Sequence, residues 1–83
     1  MKVLKIYSRT CGPCKVLESN LQLAGIPHES IDVQSIQGED IASKYEIRAI
    51  PTLILVDDEG NVVKRHSGLL GVQELKEFCN EDS

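Results

Sequence analysis

The sequence predicts an α/β fold of order βαβαββα, with a four-stranded mixed sheet flanked by three helices. Three observations carry this. Short β-prone apolar runs alternate with stretches of helical periodicity in the first half of the chain. Gly25 with Pro27, and Gly38, punctuate that alternation. Asp58-Glu59-Gly60-Asn61 then separates two strand-like runs at hairpin distance, which makes the last two strands antiparallel. Two parallel strands joined by a crossover helix, followed by a hairpin, give the mixed sheet.

Taken in order, Lys2 to Tyr7 is apolar and β-prone and forms the first strand. Gly12 to Ala24 is the first helix: Leu17, Leu21 and Ala24 fall at i, i+4 and i+7, with Val16 and Leu23 widening that face. Gly25 is placed to end it in a left-handed cap, and Pro27 prevents a restart. His28 to Val33 alternates as a second strand. Gln37-Gly38 is expected to break the chain before a short helix, whose first turn carries Glu39 and Asp40 and whose apolar contact is Ile41 with Tyr45. Thr52 to Val56 is a continuous apolar run between turns, the mark of a strand buried on both faces. Val62 to His66 pairs with it across a solvated turn, Asp57-Asp58-Glu59. Gly68 and Gly71 bracket the entry to a last helix with Val72, Leu75 and Cys79 at i, i+3 and i+7, the last expected to face the core. Asn80 to Ser83 reads as a polar tail.

The chain has 83 residues, read as one domain spanning 1–83, and 41% of them are hydrophobic, enough for a compact core built from Ile, Leu and Val. A net charge of −4 argues against nucleic acid and anionic membrane surfaces, which select basic patches. No apolar run approaches membrane-spanning length. The apolar stretch before Ser8 is too short for a signal peptide and is interrupted by Lys5. Three cysteines, two of them in one box, do not make a disulfide scaffold, so a reducing cytoplasm is the expected setting. A monomer is expected.

The residues that carry chemistry are Cys11-Gly12-Pro13-Cys14, two thiols at a spacing that can close a small ring disulfide. They sit where the first strand feeds the first helix. Unpaired N–H groups and the helix dipole there stabilise a thiolate, the species that attacks disulfides. Pro13 suits the first turn, where its missing N–H would have had no partner. A zinc half-site would need two more ligands, and Cys79, His28, His66 and scattered carboxylates form no second box. His28 and His66 read as ordinary strand residues. Arg9 and Lys15 flank the box as cations that could add positive potential but read more simply as solvated surface.

With Cys11-Gly12-Pro13-Cys14-Lys15, Ile47-Arg48-Ala49-Ile50-Pro51-Thr52, and Gly60, Val62, Gly68 and the Leu75-Lys76-Glu77-Phe78 helix in hand, the chain resembles the thioredoxin superfamily, in a short, glutaredoxin-sized version. It lacks the extra N-terminal strand and helix of full thioredoxins. The resemblance implies Cys11 as nucleophile and Cys14 as the less exposed resolving thiol. Thr10, Gly12, Pro13 and Lys15 complete the active-site loop. It further implies a cis Ile50-Pro51 bond beside the disulfide, with Ile50, Pro51 and Gly68 contacting substrate. Two positions depart from the family pattern. Thr10 stands where typical thioredoxins carry tryptophan. Lys5 stands where they bury an aspartate. A buried ammonium would favour thiolates, so Lys5 is a candidate modulator of the thiols' pKa. The expectation is an edge lysine that snorkels or pairs with Glu29.

The implied activity is a thiol-disulfide oxidoreductase that reduces disulfide-containing protein substrates, needs no cofactor or metal of its own, and is re-reduced by a flavin-dependent thioredoxin reductase. The alternatives are a glutathione-dependent glutaredoxin, a glutaredoxin-like electron donor to ribonucleotide reductase, and a non-enzymatic thioredoxin-fold partner subunit. Ser67-Gly68-Leu69-Leu70 lacks the paired acids of the glutaredoxin glutathione motif, and Ala49-Ile50-Pro51 replaces its usual Thr-Val-Pro.

Overall fold

A computed structural model describes residues 1–80 and contains, in chain order, β1 (Lys2–Tyr7), α1 (Gly12–Leu23), β2 (Glu29–Asp32), α2 (Ile36–Lys44), β3 (Thr52–Val56), β4 (Val62–Ser67) and α3 (Val72–Phe78). The polar tail expected at 80–83 lies outside these residues beyond Asn80. The sheet order is β2-β1-β3-β4, with β1 and β2 parallel and the other pairs antiparallel. The mixed sheet and its three helices match the predicted architecture.

Strand parity divides the core in two. Val3 of β1 and Leu53 and Leu55 of β3 join Leu17 and Leu21 of α1 and Leu75 of α3 on one face. Leu4 and Ile6, with Ile31, Ile54 and Val56, occupy the other face, where Ile41 and Tyr45 of α2 pack against them. Every residue of β3 is buried, as expected of a central strand covered on both sides. Cys79 packs against the first cluster, beside α3.

Three expectations need correction. Val16 and Leu23 do not widen the buried face of α1: they are 48% and 75% exposed. The helix buries only Cys14, Leu17 and Leu21, a stripe at i, i+3 and i+7, because it crosses one flank of the sheet and its remaining arc faces water. Gln37-Gly38 does not break the chain before α2. The helix begins at Ile36, capped by Ser35, whose Oγ accepts from the Gly38 N–H at 2.9 Å. Gly38 is inside the first turn for a steric reason: a Cβ there would lie 1.8 Å from the Asp32 carbonyl oxygen. The third concerns Lys5, whose side chain is 5% exposed and paired with Glu18. It cannot meet Glu29, because it shares the α1 face with Val3 and lies opposite Leu53. Glu29 is aligned with Leu4, on the other face, and pairs with Lys2.

The connections follow their local chemistry. Gly25 ends α1 with φ +70°, the left-handed value that lacks a Cβ penalty only for glycine. The β3–β4 turn is organised by Asp57, whose Oδ1 accepts from the N–H groups of Glu59 and Asn61, both at 2.9 Å. Those bonds hold its carboxyl below the usual range. Gly71 precedes α3, and its N–H donates to the Glu74 carboxylate at 3.1 Å.

Candidate active site

The C-terminal end of β1, the N-terminal end of β3 and the C-terminal end of β4 share one edge of the sheet, since Ile6 is aligned with Thr52 and Thr52 with Ser67. Cys11 through Cys14 leave β1 at that edge, Pro51 enters β3 there, and Gly68 leaves β4 there. Topology therefore brings together three segments that are separate in the sequence.

Cys11 is the N-cap of α1 in extended conformation, and its Sγ accepts from the Cys14 N–H at 3.2 Å. The two cysteines form a disulfide with Cα atoms 5.3 Å apart. Their burial differs: Cys11 is half-exposed and Cys14 is 2% exposed. Pro13 occupies the first turn, where no N–H is required. Gly12, Lys15 and Thr10 are exposed, and the Thr10 and Ser8 hydroxyls lie 3.2 Å apart. Arg9 donates to Asp32 Oδ2 at 2.9 Å.

The Ile50–Pro51 bond is cis. The Pro51 carbonyl accepts from the Gly68 N–H at 2.8 Å, and the buried Thr52 hydroxyl donates to the Ala49 carbonyl at 2.6 Å. Thr52 and Ser67 hydroxyls meet at 3.2 Å. These bonds tie the proline loop to the end of β4 as one surface. Leu69, 47% exposed, projects beside it, while Leu70 is buried and its carbonyl accepts from Asn20 of α1.

Around Glu18, in a pocket shared with Cys14, lies a polar network that residue-by-residue reading of the sequence missed. The Glu18 carboxylate accepts from the Lys5 ammonium, from His28 Nε2 at 2.9 Å, from the Ser30 hydroxyl at 3.2 Å and from the Gln22 amide at 3.1 Å. Lys5 also lies 4.9 Å from the centroid of the Tyr7 ring. The bond from Lys5, with a smaller contribution from His28, outweighs partial burial and lowers the Glu18 carboxyl from 4.5 to about 2. His28 is thus not an ordinary strand residue: its other ring nitrogen faces the Ile26 carbonyl at 3.0 Å. A usable signal existed, since Glu18 follows Cys14 by one i, i+4 step and shares its helix face. Lys5, Cys14 and Glu18 line a single pocket of about 210 Å³, together with Arg9 and Lys15.

Among the described residues no group of three His, Cys, Asp or Glu side chains is arranged to hold a metal ion, and no helix is long and apolar enough to cross a membrane. Chemically, a dithiol with one accessible and one buried sulfur at a helix N-terminus supports attack by the first and resolution by the second.

Comparison with known proteins agrees in sequence and in shape. The thioredoxin family model matches residues 1–81. An SPbeta prophage-derived thioredoxin-like protein, YosR, of Bacillus subtilis is 31% identical over 81 residues, covering 98% of each chain. A thioredoxin of Mycoplasmoides gallisepticum is 35% identical over 79 residues, covering 92% of this chain and 78% of the relative. Among solved structures, a mutant thioredoxin from Halobacterium salinarum superposes with a TM-score of 0.79 at 31% identity, covering 92% of this chain and 68% of that one.

Proposed function

This chain belongs to the thioredoxin family, as a thiol-disulfide oxidoreductase with a redox cysteine pair, and we propose that it reduces disulfides of cytoplasmic proteins. The observation that supports this most is the asymmetry of the pair, Cys11 half-exposed at the cap of α1 and Cys14 2% exposed one turn later. In the proposed reaction the Cys11 thiolate attacks a substrate disulfide, forming a mixed disulfide and releasing one substrate thiolate. Cys14 then attacks the Cys11 sulfur, releasing the second substrate thiolate and leaving the Cys11–Cys14 disulfide. Ile50, Pro51 and Gly68 dock the substrate: an extended segment pairs with the Ile50 backbone, in the manner of a strand added to a sheet edge. Thr10, Gly12, Pro13 and Lys15 shape the rim.

The electron source in this reading is a flavin-dependent thioredoxin reductase. Leu69, 47% exposed, offers an apolar contact suited to a protein partner, and Ser67-Gly68-Leu69-Leu70 offers no carboxylates for the ammonium of glutathione. The test is a coupled assay in which insulin reduction is followed with NADPH and either thioredoxin reductase or glutathione with glutathione reductase. Turnover with the first system, abolished by Cys11→Ser, is expected. Turnover with glutathione alone would place the protein among glutathione-dependent enzymes, and no turnover with either would favour a binding role.

A further inference from the structure

We propose that Lys5 acts electrostatically on Cys14: its buried ammonium stabilises the thiolate that Cys14 must form to attack the Cys11–substrate disulfide, and Glu18 and His28 hold that ammonium in place. The inference rests on the reading of the pair as a reducing couple and assigns the resolving half of that reaction its charge environment.

The geometry points to this in three ways. Lys5 projects from β1 onto the α1 face, and its side chain is only 5% exposed. Glu18, which binds the ammonium, follows Cys14 by one helical turn on the same face of α1. Both Lys5 and Cys14 line the 210 Å³ pocket.

Lys5 and Glu18 are formally a neutral pair, but their surroundings differ. The Glu18 side chain is 30% exposed and its carboxylate is shared by His28, Ser30 and Gln22, so water and donors screen it. The ammonium belongs to a side chain only 5% exposed, bound to Glu18 and 4.9 Å from the centroid of the Tyr7 ring. Of the two partners the carboxylate is the more solvent-screened, so in this proposal the ammonium's charge dominates the effect of the pair on Cys14. The charged and titratable groups lining the pocket are Lys5 and Tyr7 from β1, Arg9 from the connection, and Cys14, Lys15 and Glu18 from α1. His28, ahead of β2, reaches it through Glu18. Arg9 is 80% exposed and engaged by Asp32, which leaves Lys5 as the desolvated cation of the group.

The step balances without a further reactant. The Cys14 thiol gives its proton to water in the open pocket, its sulfur attacks the Cys11 sulfur, the Cys11–substrate bond breaks, and the leaving substrate thiolate takes a proton from solvent.

The test is a thiolate titration of Cys14 in reduced Cys11→Ser protein, followed by absorbance at 240 nm and by pH-dependent alkylation mapped by mass. Lys5→Met is expected to raise the Cys14 midpoint by about one pH unit, a tenfold loss of thiolate near neutrality. Lys5→Arg should restore it. Glu18→Gln should move the midpoint the opposite way, because it strips the countercharge and leaves the ammonium. Opposite signs for the two partners are the signature that a purely structural ion pair would not give. An unchanged midpoint in Lys5→Met overturns the proposal. Should that variant fail to fold, Glu18→Gln decides alone, and an unchanged or raised midpoint overturns it. The titration uses no substrate, so the two failures are distinguishable: absent insulin reduction by the wild type sinks the functional reading, and an unmoved Cys14 midpoint sinks the electrostatic role of Lys5.

Discussion

Gly38→Ala is the substitution whose cost is most directly readable from the fold. An alanine Cβ at this position would sit 1.8 Å from the Asp32 carbonyl oxygen, 2.7 Å from its carbonyl carbon and 2.9 Å from the Val33 Cα, against the 3.4–4 Å of ordinary contact. All three neighbours are backbone, so no rotamer change relieves the overlap. The Asp32 carbonyl is also fixed, accepting from the Ser35 N–H at 3.0 Å and the Ser35 hydroxyl at 2.7 Å. Either α2 lifts from the sheet, loosening Ile41 and Tyr45 from their cluster, or the end of β2 shifts. Overpacking against rigid surroundings costs typically about 1–3 kcal/mol and sometimes more, while replacing a helical glycine returns about 1 kcal/mol. With the overlap entirely against backbone the cost lies at the upper end of that range, so a net loss of about 2 kcal/mol is expected, which for a domain of this size lowers Tm by about 8–16 °C. Circular dichroism melts at 222 nm measure it. Gly12→Ala is the matched control, since a Cβ there meets nothing within 4 Å. If Gly38→Ala melts within about 2 °C of the wild type, the close approach of α2 to β2 is wrong.

Acid should unfold the protein partly through Glu18. Its carboxyl is lowered in the folded state, so its stabilisation is complete above the unfolded value of 4.5 and is lost as pH falls toward about 2. The full shift would correspond to about 3 kcal/mol; with the side chain 30% exposed, about 1–2 kcal/mol is expected after solvent screening. Urea denaturation at several pH values should therefore show a steeper acid loss in the wild type than in Glu18→Gln, and parallel curves would refute the assignment. In the reduced protein, brief iodoacetamide treatment near neutral pH should label Cys11 at least about tenfold faster than the other thiols. Cys14 is buried, and burial pushes the Cys79 thiol up despite nearby Lys64. Mass mapping that finds Cys79 first would displace the proposed nucleophile.

Local signals determined much of this protein. Hydrophobic period, Gly25 with Pro27, and the Asp58–Asn61 turn are effects within a few residues of chain, and they placed β1, α1, β3 and β4 closely. The cysteine box was equally legible, because its spacing and its position between a strand and a helix are both local. Tertiary structure decided what depends on which face an element turns inward. Val16 and Leu23 satisfy helical spacing, yet only contact with the sheet selects which arc of α1 is buried. Gly38 looks like a breaker until the Asp32 carbonyl shows that the position has no room for a Cβ. Lys5 and Glu29 are both charged residues of neighbouring strands, and Lys5 and Glu18 are separated by 13 positions with no shared local pattern. Strand parity puts Glu29 on the wrong face, and the crossover of α1 brings Glu18 over Lys5 instead. The charge in the pocket shared with Cys14 is set by that packing, because a side chain's partner is fixed by the face it shares and not by its distance along the chain.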